Sequence, residues 1–254
     1  MKWLIFLIIF PVLAQGQRIK EVEYKSGDVV LKSKLVFPSK SSGKKLPVVI
    51  LFPDWMGNGD YLLSRAKEIA SLGHIALAAD IYGDGKIPKD TQEAMKLSGK
   101  LKQGDRKELR KRVKAGIDFA KSQKEVDASR VVAIGYCFGG TAVLEHARSG
   151  EALSGVASFH GNLDTQKPSQ KFNTKLLILH GAIDPYVKKE EIEKFKTELN
   201  NAKSDYQWIE YAGAVHSFTN PRAGNDPSKG AAYQKAADQR SWQHFKDFLA
   251  ELFK

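Results

Sequence analysis

Short apolar runs alternate with amphipathic segments along most of the chain. Many of the apolar runs are rich in β-branched residues, and most are followed by a segment with apolar residues three and four positions apart. Continuous apolar runs are typical of parallel strands that are buried on both faces. The pattern therefore predicts an α/β fold, with a doubly wound, mostly parallel sheet of about seven or eight strands flanked by helices. The predicted strands cover residues 29–37, 46–52, 75–81, 130–136, 153–159, 174–180 and 206–212.

The first strand and the helices complete this pattern. Residues 29–37 alternate apolar and polar side chains, which favours an antiparallel hairpin at the edge of the sheet. Gly73 and Gly150 stand where two helices would end. Residues 85–104 have the weakest internal pattern, and our hypothesis is that they form a lid that influences specificity. The predicted helices cover residues 61–73, 104–124, 141–150, 188–201 and 229–253.

Residues 1–16 have the composition of a secretory signal peptide. They contain one lysine, an unbroken apolar run from residue 3 to residue 10, and small residues near the end, so cleavage after Ala14 or after Gly16 fits equally well. The apolar stretch is shorter than the roughly 20 residues that a membrane-spanning helix needs, so an uncleaved anchor is the weaker alternative. We therefore expect an exported protein, periplasmic or extracellular and free of the membrane after cleavage, with a single domain over residues 17–254.

The formal net charge of +11 does not by itself indicate a nucleic-acid-binding protein. The basic residues are spread over several predicted helices and are mixed with acidic residues, as in the run LKQGDRKELRKRVK. This mixture is typical of solvated helix surfaces. We expect a small-molecule partner and no nucleic acid, while a preference for anionic substrates and the oligomeric state stay open.

Cys137 is the single cysteine, and an exported protein with one cysteine cannot form an internal disulfide. The thiol is therefore either a small apolar core residue or a nucleophile. The six histidines show neither a His-x-x-x-His pair nor a carboxylate pairing at the spacing of metal ligands. The glycine-rich segments lack the phosphate-binding pattern G-x-x-x-x-G-K-[ST]. We expect no metal and no cofactor.

The sequence around Cys137 has the form of a nucleophile elbow. A predicted strand runs directly into Gly135, Cys137 and Gly139, which form the pattern G-x-C-x-G, and a predicted helix follows. In such a turn the nucleophile has a strained backbone, and the flanking glycines avoid collisions with neighbouring backbone. The N–H groups at the start of the helix favour a thiolate and a developing oxyanion.

Two further residues follow predicted strands in the order expected of a catalytic triad. Asp184 comes shortly after the strand at 174–180, and His216 comes shortly after the strand at 206–212. Because the carboxyl ends of parallel strands meet at one edge of a sheet, we expect both side chains to lie near Cys137. His216 would accept the thiol proton, and Asp184 would orient His216 and stabilise its charged form.

An oxyanion hole and an apolar pocket should surround this triad. The backbone N–H of Phe138, the residue after the nucleophile, would form the hole together with the N–H of Trp55, in the loop after the strand at 46–52. Tyr82 and Phe218 also stand at loop starts. Their rings and those of Phe138 and Trp55 fit a pocket wall and the core equally well.

Five segments resemble the dienelactone hydrolase family (carboxymethylenebutenolidase-like proteins): PDWMG, ADIYGDG, GYCFGG, HGAIDPYV and AGAVHSF, in this order along the chain. The resemblance implies a single domain with the α/β-hydrolase fold. Its motifs assign the triad to Cys137, Asp184 and His216, the residues that the pattern of strands and glycines also favours.

The resemblance further implies roles for residues near the thiol. In the family a glutamate usually follows the third strand and holds the resting thiol in a less reactive arrangement, and Asp54 stands at that position here. Members that cleave dienelactone hold the substrate carboxylate with two arginines. Lys86 lies near the first of these positions and Arg222 near the second, but the spacing differs and lysine lacks the bidentate guanidinium. The resemblance therefore does not identify dienelactone as the substrate.

The sequence thus predicts a hydrolase that cleaves a carboxylic ester or lactone through a Cys-His-Asp triad and an acyl-thioester intermediate. A noncatalytic exported binding protein with the same fold is the alternative from another class. Hydrolysis of thioesters, peptides or carbon–halogen bonds also stays open, because the triad sets the mechanism and the pocket sets the substrate. His160 and His180 follow strands as well, and their pattern favours a packing role for both.

Overall fold

The computed structural model describes residues 16–40 and 43–254, and the strands of this part of the chain form one eight-stranded sheet. The predicted signal peptide lies outside the described residues except for Gly16. The strands are β1 (Arg18–Ser26), β2 (Val29–Phe37), β3 (Leu46–Phe52), β4 (Ile75–Ala78), β5 (Val126–Tyr136), β6 (Gly155–Phe159), β7 (Lys175–Gly181) and β8 (Tyr206–Tyr211). Their order across the sheet is β1-β2-β4-β3-β5-β6-β7-β8.

The winding of the sheet reverses beside β3. Strands β3 to β8 pair in parallel, with β4 on one side of β3 and β5 on the other, whereas β2 is antiparallel to both β1 and β4. Ligands of open parallel sheets bind outside the carboxyl ends of the strands at such a reversal. The loops that follow β3 and β5 are therefore in the position where a site is expected.

Helices cover both faces of the sheet, as the predicted doubly wound α/β fold requires. Alternate side chains of the central strands point into two separate apolar layers, one on each face of the sheet. None of the helices in the described ranges is long and apolar enough to cross a membrane. The helices are α1 (Asp60–Ser71), α2 (Thr91–Lys102), α3 (Lys107–Lys121), α4 (Phe138–Arg148), α5 (Lys189–Asn201) and α6 (Lys235–Leu252).

The edge hairpin predicted for residues 29–37 is confirmed, but its partner strand was not predicted. That partner, β1, forms the edge of the sheet, and β2 is the inner strand of the hairpin. Most side chains of β1 are exposed and several are charged, because an edge strand pairs with a neighbour on one side only. The apolar pattern of β1 is therefore weak, although the strand pairs with β2 along its whole length.

The weakly patterned segment 85–104 contains helix α2. The carboxylate of Asp90 caps this helix by accepting the backbone N–H of Glu93 at 2.8 Å. Only Ala94, Ser98 and Leu101 are buried along its length, and the rest of the helix is largely polar. This narrow buried stripe explains why the apolar pattern did not predict the helix.

Candidate active site

The turn between β5 and α4 holds Cys137 in a strained conformation at the carboxyl end of the sheet. Its φ and ψ angles are 54° and −114°, and a positive φ is unfavourable for a residue with a Cβ atom. A Cβ atom at Gly135 would lie 2.0 Å from the carbonyl oxygen of Gly139, and one at Gly139 would lie 2.1 Å from that of Phe52. Both positions therefore require glycine, as the predicted elbow implies.

The three residues of the predicted triad are linked by two consecutive side-chain contacts. The Sγ atom of Cys137 is 3.0 Å from Nε2 of His216, and Nδ1 of His216 is 2.8 Å from Oδ2 of Asp184. Asp184 lies in the turn after β7, where its N–H donates to the carbonyl of Gly181, and His216 lies in the loop after β8. The fold thus brings together the three residues that the sequence selects.

The surroundings of His216 favour its charged form. Burial opposes a positive charge on the imidazole, but the negative charge of a Cys137 thiolate and the hydrogen bond to Asp184 outweigh burial and raise the pKa of His216 above its ordinary value. Asp184 is itself fixed, because its other carboxylate oxygen accepts the N–H of Tyr186 at 2.9 Å. The arrangement therefore favours an imidazolium held between the sulfur of Cys137 and the carboxylate of Asp184.

The loop after β3 packs directly against the elbow. A Cβ atom at Gly139 would lie 2.1 Å from the carbonyl oxygen of Phe52 and 2.6 Å from that of Pro53. No acceptor within residues 16–40 and 43–254 receives a hydrogen bond from the backbone N–H of Phe138 or of Trp55. Two N–H donors on adjacent segments are thus available for the predicted oxyanion hole.

Asp54 is tied to its own loop and to the loop after His216. Its Oδ1 accepts the N–H of Met56 at 2.8 Å, and its Oδ2 accepts the side-chain amide of Asn220 at 3.2 Å. Burial raises the pKa of its carboxyl. Within the described part of the chain Asp54 makes no hydrogen bond to Cys137, whose Sγ contacts His216 instead. The thiol-gating contact implied by the resemblance is therefore absent from this structure.

Tyr82 lies beside the site, whereas Phe218 does not line it. The hydroxyl of Tyr82 donates to the carbonyl of Trp55 at 2.8 Å, and its ring stacks on that of Phe138 with a centroid distance of 5.9 Å. Burial raises the pKa of Tyr82, so the hydroxyl stays a neutral donor. Phe218 is completely buried and packs edge-on against His160. The ring of Phe218 is therefore part of the core, which is one of the two roles that the sequence left open for it.

The two predicted substrate-binding cations are ion-paired at the surface. The ammonium of Lys86 is 2.8 Å from Glu93, and the guanidinium of Arg222 is 3.0 Å from Asp60. Their side chains are 49% and 66% exposed. Within the described residues neither cation contacts Cys137, so the prediction that they hold a substrate is not supported by their positions.

The sequence pattern favours a packing role for His160, but the structure places it directly behind the elbow. Its Nδ1 accepts the backbone N–H of Cys137 at 3.1 Å, and its Nε2 is 2.7 Å from Oγ1 of Thr219. Its ring also lies edge-on to that of His216, with a centroid distance of 5.3 Å. The position of His160 just after β6, at the carboxyl edge of the sheet, was the signal that could have identified it.

The turn that carries Asp184 also presents two exposed apolar side chains. Ile183 is 56% exposed and Tyr186 is 52% exposed. The ring of Tyr186 lies edge-on to the imidazole of His216, with a centroid distance of 5.4 Å. Tyr186 therefore forms an exposed apolar rim beside the imidazole, which the sequence analysis did not identify.

The chemical groups at the site are a thiol, an imidazole, a carboxylate and backbone N–H donors. The described residues contain no group of three or more His, Cys, Asp or Glu side chains that could hold a metal ion. A nucleophile, a base and oxyanion donors within reach of one another are the groups that acyl transfer requires.

The sequence matches the dienelactone hydrolase family over residues 32–253. It is 27% identical over 216 residues to a Bradyrhizobium protein named "probable 2-oxo-3-(5-oxofuran-2-ylidene)propanoate lactonase", with 81% of this chain and 84% of that protein covered. The solved structure m3DLH is 36% identical and superposes with a TM-score of 0.89 over 94% of this chain and 100% of its own. A dienelactone hydrolase-like promiscuous phosphotriesterase from metagenomic libraries is 34% identical, with a TM-score of 0.86 over 93% of this chain and 99% of its own. The chain therefore belongs to the dienelactone hydrolase family and is a hydrolase of ester or lactone bonds.

Proposed function

We propose that this protein hydrolyses a carboxylic ester or lactone with Cys137 as nucleophile, His216 as acid and base, and Asp184 as the orienting carboxylate. The observation that carries the proposal is the unbroken line from thiol to imidazole to carboxylate, with contacts of 3.0 and 2.8 Å. Both distances are within the range for proton transfer and orientation. Cys137 is only half-buried, which supports a role for its thiol as a nucleophile that a substrate must reach.

The acylation step begins with attack of the Cys137 thiolate on the carbonyl carbon of the substrate. A C–S bond forms while the π electrons of the carbonyl move to its oxygen, and the N–H groups of Phe138 and Trp55 bind the resulting oxyanion. When the tetrahedral intermediate collapses, the C–O bond to the leaving group breaks. The leaving oxygen takes the proton from His216, so an alcohol departs and an acyl thioester remains.

The deacylation step repeats this sequence with water. Neutral His216 takes a proton from a water molecule as its oxygen attacks the thioester carbon, and the same N–H donors bind the oxyanion. Collapse breaks the C–S bond and releases a carboxylic acid, while the Cys137 thiolate and the His216 imidazolium are restored. A lactone yields a hydroxy acid by the same steps.

The rim of the site favours an uncharged substrate with an apolar leaving group. Tyr186 presents an exposed ring beside His216, the residue that protonates the leaving oxygen, and Ile183 adds a second exposed apolar side chain to the same turn. Lys86 and Arg222, in contrast, are each paired with a carboxylate and do not offer a free charge to a substrate anion. We therefore infer neutral aryl or alkyl esters, or uncharged lactones, as the preferred substrates.

The first experiment compares the signal-free protein with Cys137→Ala on short p-nitrophenyl esters and on an enol-lactone. We expect Cys137→Ala to lose about 10³-fold or more in kcat, because the nucleophile is removed, and to unfold at an unchanged denaturant concentration. Full ester turnover by Cys137→Ala would contradict the assignment of the nucleophile.

Thiol alkylation separates this proposal from a binding protein with the same fold. Iodoacetamide should modify Cys137 rapidly at pH 7, because Nε2 of His216 lies 3.0 Å from the sulfur and can accept the thiol proton. His216→Gln should slow the modification, since it removes that proton acceptor. A thiol that reacts slowly in the unmodified protein would favour the noncatalytic alternative.

A further inference from the structure

His160 is completely enclosed at the point where β6 and β5 end. It is 1% exposed, and its Nδ1 lies 3.1 Å from the backbone nitrogen of Cys137. That N–H also donates to the carbonyl of Phe159 at 2.9 Å, so it is shared between two acceptors. The imidazole of His160 therefore contacts the backbone of the residue whose φ is strained at 54°.

The hydrogen bonds of His160 fix its tautomer. Because Nδ1 accepts the N–H of Cys137, the ring proton is on Nε2, which donates to Oγ1 of Thr219 at 2.7 Å. The Thr219 oxygen is also 2.6 Å from the hydroxyl of Tyr61 in α1. A chain of hydrogen bonds thus runs from the elbow to the loop that carries His216.

The surroundings keep His160 uncharged, as an Nδ1 acceptor must be. Burial, followed by the nearby charges of His216 and Arg65, holds the pKa of His160 well below its ordinary value. Arg65 is fixed there because its guanidinium donates to the carbonyl of Thr219 at 2.8 Å and pairs with Asp238. The same loop therefore bonds both to the neutral imidazole and to a buried cation.

We propose that His160 is a positioning residue that sets the distance between the Cys137 thiol and the His216 imidazole. Its Nδ1 holds the backbone of the elbow, and its Nε2–H holds Thr219, three residues beyond His216. The ring of His160 also lies against that of His216, so His160 contacts the elbow, the loop that carries His216, and the imidazole of His216 itself. This inference rests on the proposed function, because the distance that it sets is that between nucleophile and base.

The test compares His160→Asn with His160→Phe. Asparagine can place its amide oxygen where Nδ1 lies and tolerates the positive φ of 42° at this position. Phenylalanine keeps a ring but accepts no hydrogen bond. We expect His160→Phe to lose about 10- to 100-fold in kcat with KM within about threefold, because a small displacement of nucleophile and base suffices for such losses. His160→Asn restores the acceptor for the Cys137 N–H but not the bond to Thr219, so its kcat should be at least about threefold higher than that of His160→Phe while staying below the wild-type value.

The rate of Cys137 alkylation by iodoacetamide at pH 7 is the second readout, and it needs no substrate. It should fall in His160→Phe by a factor similar to kcat and recover in His160→Asn, since both rates depend on the thiolate held by His216. Equal losses in the two variants, or an unchanged alkylation rate in His160→Phe, would overturn the proposal. Ester turnover that survives Cys137→Ala would instead overturn the proposed function. The alkylation rates would then still show whether His160 positions His216 relative to the thiol.

Two variants of Thr219 test the same hydrogen bond without changing His160, whose φ is positive. Thr219→Val removes the acceptor for His160 Nε2–H at nearly constant volume, and Thr219→Ser keeps a hydroxyl. We expect Thr219→Val to slow alkylation about fivefold or more and Thr219→Ser to slow it less than about twofold. If His160→Phe does not fold, this pair decides the question, and equal rates for Thr219→Val and the unmodified protein contradict the proposal.

Discussion

Both ring nitrogens of His216 are engaged, and aromatic rings restrict its movement. Nε2 contacts the Cys137 thiol and Nδ1 contacts Asp184, while the rings of His160 and Tyr186 lie edge-on at 5.3 and 5.4 Å. An imidazole held in this way cannot rotate without losing a hydrogen bond or a ring contact. The orientation of the proposed base is therefore established before a substrate binds.

Asp184→Asn tests how much of this orientation depends on charge. An amide at this position can present its N–H₂ group to Nδ1, which favours the wrong tautomer of His216 and removes the negative charge that stabilises the imidazolium. We expect kcat for a p-nitrophenyl ester to fall by about 10²- to 10⁴-fold. The control is the free energy of unfolding, which should change little because the two side chains have the same shape. A kcat within twofold of the wild-type value would show that Asp184 does not orient the base.

The contact between the elbow and the end of β3 sets the geometry of the predicted oxyanion hole. Phe138 begins α4, and Trp55 lies in the loop after β3, so their N–H groups keep a fixed relation only if these two segments pack closely. Gly139 permits that approach because it has no Cβ atom to meet the carbonyl of Phe52.

Gly139→Ala should therefore disrupt both the fold and the site. The added Cβ atom would lie 2.1 Å from a backbone oxygen, which cannot move away as a flexible side chain could. We expect a loss of more than about 4 kcal/mol in the free energy of unfolding. Gly99→Ala in α2 is the matched control, because nothing lies within 4 Å of its Cβ position, and it should gain about 0.5 to 1 kcal/mol. Denaturant unfolding of the two variants measures both effects, and similar stabilities would refute the argument.

Buried histidines in several parts of the fold should make the protein sensitive to acid. Burial lowers the pKa values of His74, His146, His160 and His180, and that of His146 falls to about 4. The unfolded chain binds protons at these residues near pH 6.5, whereas the folded chain resists protonation. Stability is therefore lost as the pH falls from about 6.5 towards 4. The raised pKa of His216 acts in a different range, above pH 6.5, and does not offset this loss.

His146→Leu isolates one part of this effect. Between pH 7.5 and 4.5 the free energy of unfolding of the wild-type protein should fall by about 2 to 3 kcal/mol more than that of His146→Leu, because leucine does not titrate. Urea unfolding at the two pH values gives this difference, and the change in packing affects both values equally. The same pH dependence in the variant and the wild type would mean that His146 is protonated without cost in the folded protein.

Local sequence patterns were sufficient for most of the fold and for the elbow. The alternation of apolar strands and amphipathic helices predicted the doubly wound sheet, since the spacing of apolar residues follows directly from which faces are buried. Gly135 and Gly139 marked the elbow because the turn excludes any side chain there. The pattern failed at β1 and α2, where few side chains are buried and little apolar signal exists.

The pattern of strands and glycines was enough to select Cys137, Asp184 and His216 as the candidate triad, because each follows a strand and parallel strands end at one edge. The contacts of the surrounding residues, in contrast, follow from the way the loops pack in the folded protein. Asp54 binds an asparagine 166 positions away, and Phe218 and His160 are enclosed by elements distant in the chain. Such contacts depend on how separate loops meet in three dimensions. Periodicity along the chain reports which face of an element is buried, but it does not report which loop lies opposite.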